Sequence, residues 1–292
     1  MRRARLGAVS PTRRRPLARF VIFSAACLAA WIAPGPLLGA ASPWAYGAAV
    51  LALLLAVTWI ALWSEGQPMA ALGLAFDSRR VREFACGFAI TSVLFAAAAL
   101  GRAAWIGAGW QFHGRAGIVG ALGGLPAAFL LMAGEEFVFR GYGFRQLIAA
   151  VGTRTALFIS AVAFGVYHLA QTGFGMWGIG AFWVVALPAL GGLVFSLAFI
   201  RTGGMAMPLG LHLGGNWIQA SVLRLGEAPH GAPAALFTAP LTTAQAYELW
   251  SPDLLPQVPY LCVVVTTAVL LRVYSARSAS IGSTRVARRA GR

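Results

Sequence analysis

Apolar runs of about twenty residues, the length an α-helix needs to cross a bilayer core, recur along this chain. They cover roughly 20–41, 44–63, 84–105, a fourth run from Gly117 to Arg140, 155–170, 176–200, 205–225 and 258–274. Eight such runs in 292 residues predict an all-α fold, a polytopic transmembrane helical bundle of about eight spans. Composition agrees: 59% of residues are hydrophobic and 11% charged, where a soluble domain carries about a quarter charged. No repeat of fixed period interrupts the runs, and no stretch between them is long enough for a soluble domain.

The formal charge of +15 comes entirely from arginine, because the sequence contains no lysine. In a soluble chain that balance would suggest nucleic acid. In a membrane protein it points to topology and to anionic lipid at the basic termini, with no nucleic-acid partner. With eight spans and the N-terminus inside, only Arg102, Arg115 and Arg224 fall on the outer side and the other 20 of the 23 arginines fall inside. The positive-inside rule therefore predicts an integral protein of a bacterial-type inner (plasma) membrane with both termini cytoplasmic.

Four regions follow. Residues 1–19 are expected to form a disordered basic arm and 20–116 the N-terminal spans. Residues 117–225 form a core, and 226–292 an outer loop, the last span and a basic tail. The arm, the first run and the small residues Gly39-Ala40-Ala41 imitate a signal peptide, but the many later spans favour a retained first helix. Asp77 or Ser78 is expected to cap the third helix and Gly152-Thr153 to form a turn. The stretch to Ala150 is expected to continue the fourth helix as an amphipathic extension beyond the bilayer. Cys27, Cys86 and Cys262 lie in apolar runs without ligand spacing and read as small buried hydrophobes.

The chemistry concentrates in the fourth run. Of the eight acidic residues, six fall in stretches that read as loops or span edges. The other two, Glu135 and Glu136, directly follow the apolar run 125–133, where an ionised group costs about 2.5–3.5 kcal/mol at mid-helix. Adjacent helical residues point about 100° apart, so the pair cannot share one role. Arg140 lies one turn beyond Glu136, the spacing at which opposite charges meet, which leaves Glu135 the freer carboxylate. The fifth span contributes His168 in Phe164-Gly165-Val166-Tyr167-His168. The seventh contributes His212 and Asn216, one turn apart on one face. Polar groups on three apolar helices keep their hydrogen bonds only by converging. Counting back from a turn between Val151 and Gly152 sets Glu135 and His168 at equal depth on an antiparallel hairpin.

Glu-Glu-x-x-x-Arg, Phe-x-x-x-His and His-x-x-x-Asn, in this order on successive helices, resemble the three motifs of the CPBP intramembrane proteases. That group includes the CAAX-processing prenyl-protein endopeptidases and bacterial Abi-type proteins. The resemblance covers roughly 117–225 and would make that region a catalytic core. It implies an intramembrane glutamic endopeptidase acting on a peptide or membrane-protein substrate. Glu135 and His168 would activate water, His212 and Asn216 would stabilise the oxyanion, and Glu136 and Arg140 would support them. Many bacterial members have no known prenylated substrate, so prenyl-protein processing is not carried over.

No cofactor is expected on this reading. Zinc held by Glu135, His168 and His212 is the alternative mechanism, although His-Glu-x-x-His is absent. A proton-coupled transporter could use the same cluster as a relay, yet the sequence lacks paired broken helices. A non-catalytic scaffold or bacteriocin-immunity protein would need the helices but not an intact base and oxyanion pair. Substrate sequence and oligomeric state are not encoded legibly.

Overall fold

Helices dominate the computed structural model, which describes residues 11–38, 43–74, 77–171, 179–227, 232–249 and 253–290. The arm at 1–10 and Gly39, Ala40 and Ala41 lie outside the described residues. In chain order the elements are α1 (Pro11–Ile32), the single-turn α2 (Gly35–Leu38), α3 (Pro43–Trp63), α4 (Ser78–Trp105) and β1 (Gln111–Phe112). Then come α5 (Gly114–Arg140), α6 (Tyr142–Val151), α7 (Thr153–Gln171), α8 (Ile179–Thr202) and α9 (Ala206–Trp217). The chain closes with β2 (Leu223–Leu225), β3 (Phe237–Ala239), α10 (Thr243–Leu249) and α11 (Val258–Ala290). The expectation of a helical polytopic bundle holds.

Among the described residues, seven helical stretches are long and apolar enough to cross a membrane. The seventh expected span, 205–225, is not among them. It is the 12-residue α9, continued by a π-helix at Ile218–Val222 and then by β2. At about 1.5 Å per residue, α9 alone covers about 18 Å. The path nevertheless links the two ends of the bundle. At one end, near the start of α4, the Met205 amide donates to Leu72 O at 3.1 Å. At the other, β2 pairs with β3, which in turn pairs with β1 just beyond the end of α4. Residues 207, 208 and 210–215 are buried, so protein rather than lipid surrounds this backbone and its irregular continuation is tolerated.

Small residues let α9 approach α4. A Cβ on Gly210 would collide with Phe84 O and one on Gly214 with Phe88 O, while one on Gly87 would lie 2.6 Å from Met207 O. This small-xxx-small arrangement fixes the depth and rotation of α9. The turn before α9 is clamped as well. Arg79 and Arg80 each donate to Thr202 O at 3.0 Å and pair with the buried Glu83 at 2.9 and 2.7 Å. Cationic groups thus meet the last carbonyls of α8, where the helix dipole favours them. The third span accordingly starts at Ser78 rather than near Phe84, capped by Asp77, which accepts from the Arg80 amide at 2.8 Å. Glu83 is therefore helical and buried, not an edge residue.

Two further expectations change. Residues 11–19 belong to α1 and are helical instead of disordered. The fourth helix does not run on to Ala150: it breaks at Gly141 (φ −82°, ψ −139°) and restarts as α6. There α6 packs on α1, with the Phe23 and Tyr142 rings 5.1 Å apart. Glu65 pins this junction by accepting from Tyr142 at 2.5 Å and Gln146 at 2.9 Å, and by pairing with Arg19 at 3.0 Å. Gly152, at φ 84°, makes the turn into α7, whose first residue is Thr153. Phe23 and Cys27 are buried in one core with Leu54, Phe137 and Phe144, so α1 is an integral part of the bundle.

Candidate active site

The end of α5 carries a cluster of deeply buried charges. Glu136 and Arg140 are 0% exposed, Glu135 4%, and His212 3%. Charges in such surroundings persist only when paired. Arg140 Nη1 donates to Glu136 Oε1 at 3.0 Å, the one-turn pairing read from the sequence. The same oxygen lies 2.8 Å from His212 Nδ1. His212 Nε2 in turn lies 3.6 Å from Glu135 Oε2. The histidine of α9 therefore stands between the two carboxylates of α5, bonded to one and facing the other.

The second oxygen of Glu135, Oε1, accepts from the Tyr167 hydroxyl at 3.2 Å. Oε2 is buried without a hydrogen-bond partner, as is Glu136 Oε2. Glu135 is thus the freer carboxylate, but the α7 side chain that bonds it is Tyr167, one position before His168. His168 lies within electrostatic range of Glu135, His212 and Arg140, its ring 5.4 Å from that of Tyr167. Its Nδ1 sits 2.8 Å from Phe164 O. A proton on Nδ1 makes that bond and leaves Nε2 of the neutral ring as an acceptor.

Asn216 is half-buried at the C-terminal end of α9, and its Nδ2 is 2.7 Å from Met132 Sδ on α5. A thioether is a weak acceptor, so a better one could displace it. The π-helix begins two residues later, at Ile218; single π turns inside helices recur at functional sites.

Aromatic rings from α7 and α8 hold the charged groups in place. Arg140 stacks 4.2 Å over Phe164 and 5.3 Å from Phe195. Phe195 stacks on His212 at 4.8 Å and 28°. The Phe164 ring lies 4.6 Å from His168 and 5.7 Å from His212. Gly192 leaves room for the guanidinium, since a Cβ there would lie 2.8 Å from both Arg140 Nη2 and Phe164 Cδ1. Sequence reasoning missed Tyr167, Phe195, Gly192 and Met132. Only Tyr167 had a visible signal, a phenol in an otherwise apolar stretch beside His168. Among the described residues, no three His, Cys, Asp or Glu side chains are grouped as a metal centre requires.

Residues 117–218 match the family model described as Type II CAAX prenyl endopeptidase Rce1-like. The resemblance to the CAAX-processing proteases therefore holds over this segment. No curated protein and no solved structure matches the chain.

The matched segment runs from α5 to the first residue of the π-helix. It contains Glu135, Glu136, Arg140, His168, His212 and Asn216 together with the aromatic side chains of α7 and α8. Helices outside it also reach the site. Trp31 of α1 meets Tyr167 edge-on at 5.8 Å and 88°, and Tyr46 of α3 donates to the Trp31 carbonyl at 3.0 Å.

Proposed function

We propose that this protein is an intramembrane glutamic endopeptidase in which Glu135 activates water for attack on a peptide bond. The observation that carries this reading is the state of Glu135: buried, held at Oε1 by Tyr167, with Oε2 unbonded 3.6 Å from His212 Nε2. A general base needs one oriented oxygen with a free lone pair beside a group able to act on the reacting atoms.

In the proposed reaction Glu135 Oε2 takes a proton from water, and His168 Nε2 accepts a hydrogen bond from the same water. The water oxygen bonds the carbonyl carbon, and the developing oxyanion is met by His212 and Asn216. Collapse breaks the C–N bond and passes the proton from Glu135 to the departing amine. For His212 to donate from Nε2 while Nδ1 donates to Glu136, the ring must be an imidazolium. That charge also balances the cluster: two carboxylates are then matched by Arg140 and His212. No cofactor enters this scheme.

The proposed substrate is a peptide segment or membrane protein reaching the bundle from the bilayer or its surface. The family description names prenyl endopeptidases; recognition of a prenyl group is not part of the proposal. Arginines at the bundle end that holds Arg19, Arg79 and Arg145 support an orientation with that end and both termini cytoplasmic, touching anionic lipid. The decisive experiment is to incubate purified protein in detergent with a peptide library and identify cleaved bonds by mass spectrometry. Cleavage that persists unchanged in Glu135→Gln would sink the proposal.

A further inference from the structure

The catalytic scheme requires Glu135 to present one particular oxygen, and nothing in the three motifs does this. The α5 backbone fixes only where the side chain starts. Glu135 has two oxygens, and rotation about its last bond exchanges them at little cost. Several groups face it: Glu136 and Arg140 on its own helix, Tyr167 and His168 on α7, and His212 on α9. Of these, Tyr167 makes the hydrogen bond to Oε1, at 3.2 Å. Tyr167 is itself boxed by rings. Trp31 meets it edge-on at 5.8 Å, Phe139 lies at 5.6 Å and Phe164 at 6.4 Å. Trp31 also closes over the helix step before the glutamate, where a Cβ on Gly134 would lie 3.1 Å from its ring. Its backbone is tied to α3 through Tyr46.

We propose that Tyr167 is a positioning residue, braced by Trp31, that holds Glu135 Oε1 and so keeps Oε2 turned toward His212 and the attacking water. This rests on the endopeptidase reading and extends it: the N-terminal helices, outside the matched segment, set the geometry of the base. The phenol donates and takes no proton from the substrate, so its loss should slow the chemical step without weakening substrate binding.

The test uses the full-length protein in detergent and two readouts. Tyr167→Phe removes the hydroxyl and keeps the ring. With a cleaved peptide as substrate, kcat should fall about tenfold, the equivalent of one ordinary hydrogen bond, with KM unchanged and the thermal midpoint retained. Infrared difference spectra give a readout independent of turnover. The Glu135 carboxyl band, identified as the one lost in Glu135→Gln, should move in Tyr167→Phe. Trp31→Leu should lower kcat in the wild-type background and add little to Tyr167→Phe, because both act on one hydrogen bond. Wild-type kcat in Tyr167→Phe, or an unmoved Glu135 band, overturns the proposal. Failure of the underlying reading looks different: Glu135→Gln itself would leave peptide cleavage intact.

Discussion

His212 Nδ1 lies 2.8 Å from Glu136 Oε1, the same carboxylate oxygen that receives Arg140 at 3.0 Å. One oxygen thereby joins α5 to α9 and sets the rotation of the imidazole. Glu136 is fully buried, so removing its charge leaves Arg140 without its counter-ion in an apolar setting. Breaking a buried pair from one side costs about 3–5 kcal/mol. Glu136→Gln is therefore expected to lower the thermal midpoint in detergent and to reduce turnover together. Glu135→Gln is expected to keep the midpoint and lose at least about 10²-fold in kcat. Equal midpoints for the two variants would remove the structural role assigned to Glu136.

Gly192 supplies a prediction with its own control. A methyl there would press on Arg140 Nη2 and Phe164, each at 2.8 Å, whereas one on Gly191 would meet nothing within 4 Å. Gly192→Ala is expected to destabilise the protein by about 1–3 kcal/mol, the usual cost of overpacking, and to slow turnover by displacing Arg140. Gly191→Ala should leave both unchanged. Thermal melts of the two variants beside wild type, with peptide turnover, decide the matter.

These two glycines show where sequence reading stops. Neighbours along one helix are legible because the period is fixed, and the Glu136–Arg140 pair followed from spacing alone. Grouping across helices was legible only as a need: buried polar side chains on three apolar runs must find one another. Which atoms meet depends on helix ends and close approaches. On α7 the side chain that bonds Glu135 is Tyr167, one residue before His168, an offset finer than a count of depth resolves. The π-helix after Trp217 made the seventh run shorter than its hydropathy suggested. Phe195 and Gly192 look like ordinary residues of an apolar span, and nothing in their periodicity marks them as the walls around Arg140.

Orientation in the membrane is open to direct measurement. The bundle end holding Arg19, Arg79, Arg80 and Arg145 is joined by Glu65, Glu83 and Thr202. The opposite end holds β1, β2 and β3. Reporter fusions after Arg19, within 232–249 and after Arg277 are expected to read inside, outside and inside. An outside reading after Arg277 would mean that the path through α9, the π-helix and β2 is not a crossing.

Asn216 and His212 separate oxyanion stabilisation from metal ligation. They sit one turn apart on α9, with His212 anchored through Nδ1 to Glu136 and Asn216 resting against Met132 Sδ at 2.7 Å. A substrate oxygen is a far better acceptor than a thioether, so the amide gains most as negative charge develops. Asn216→Ala is then expected to lower kcat by about 10²–10³-fold with KM nearly unchanged. Zinc would impose a different pattern. His168 and His212 would be ligands, each loss would release metal, and Asn216→Ala would leave metal content intact. Metal content of the purified wild type, measured with activity before and after exhaustive chelation, distinguishes the two. Activity retained in metal-free protein leaves the base at Glu135. Stoichiometric zinc, with activity lost on chelation and restored by added zinc, would instead make His212 a ligand and end its assignment as an oxyanion donor.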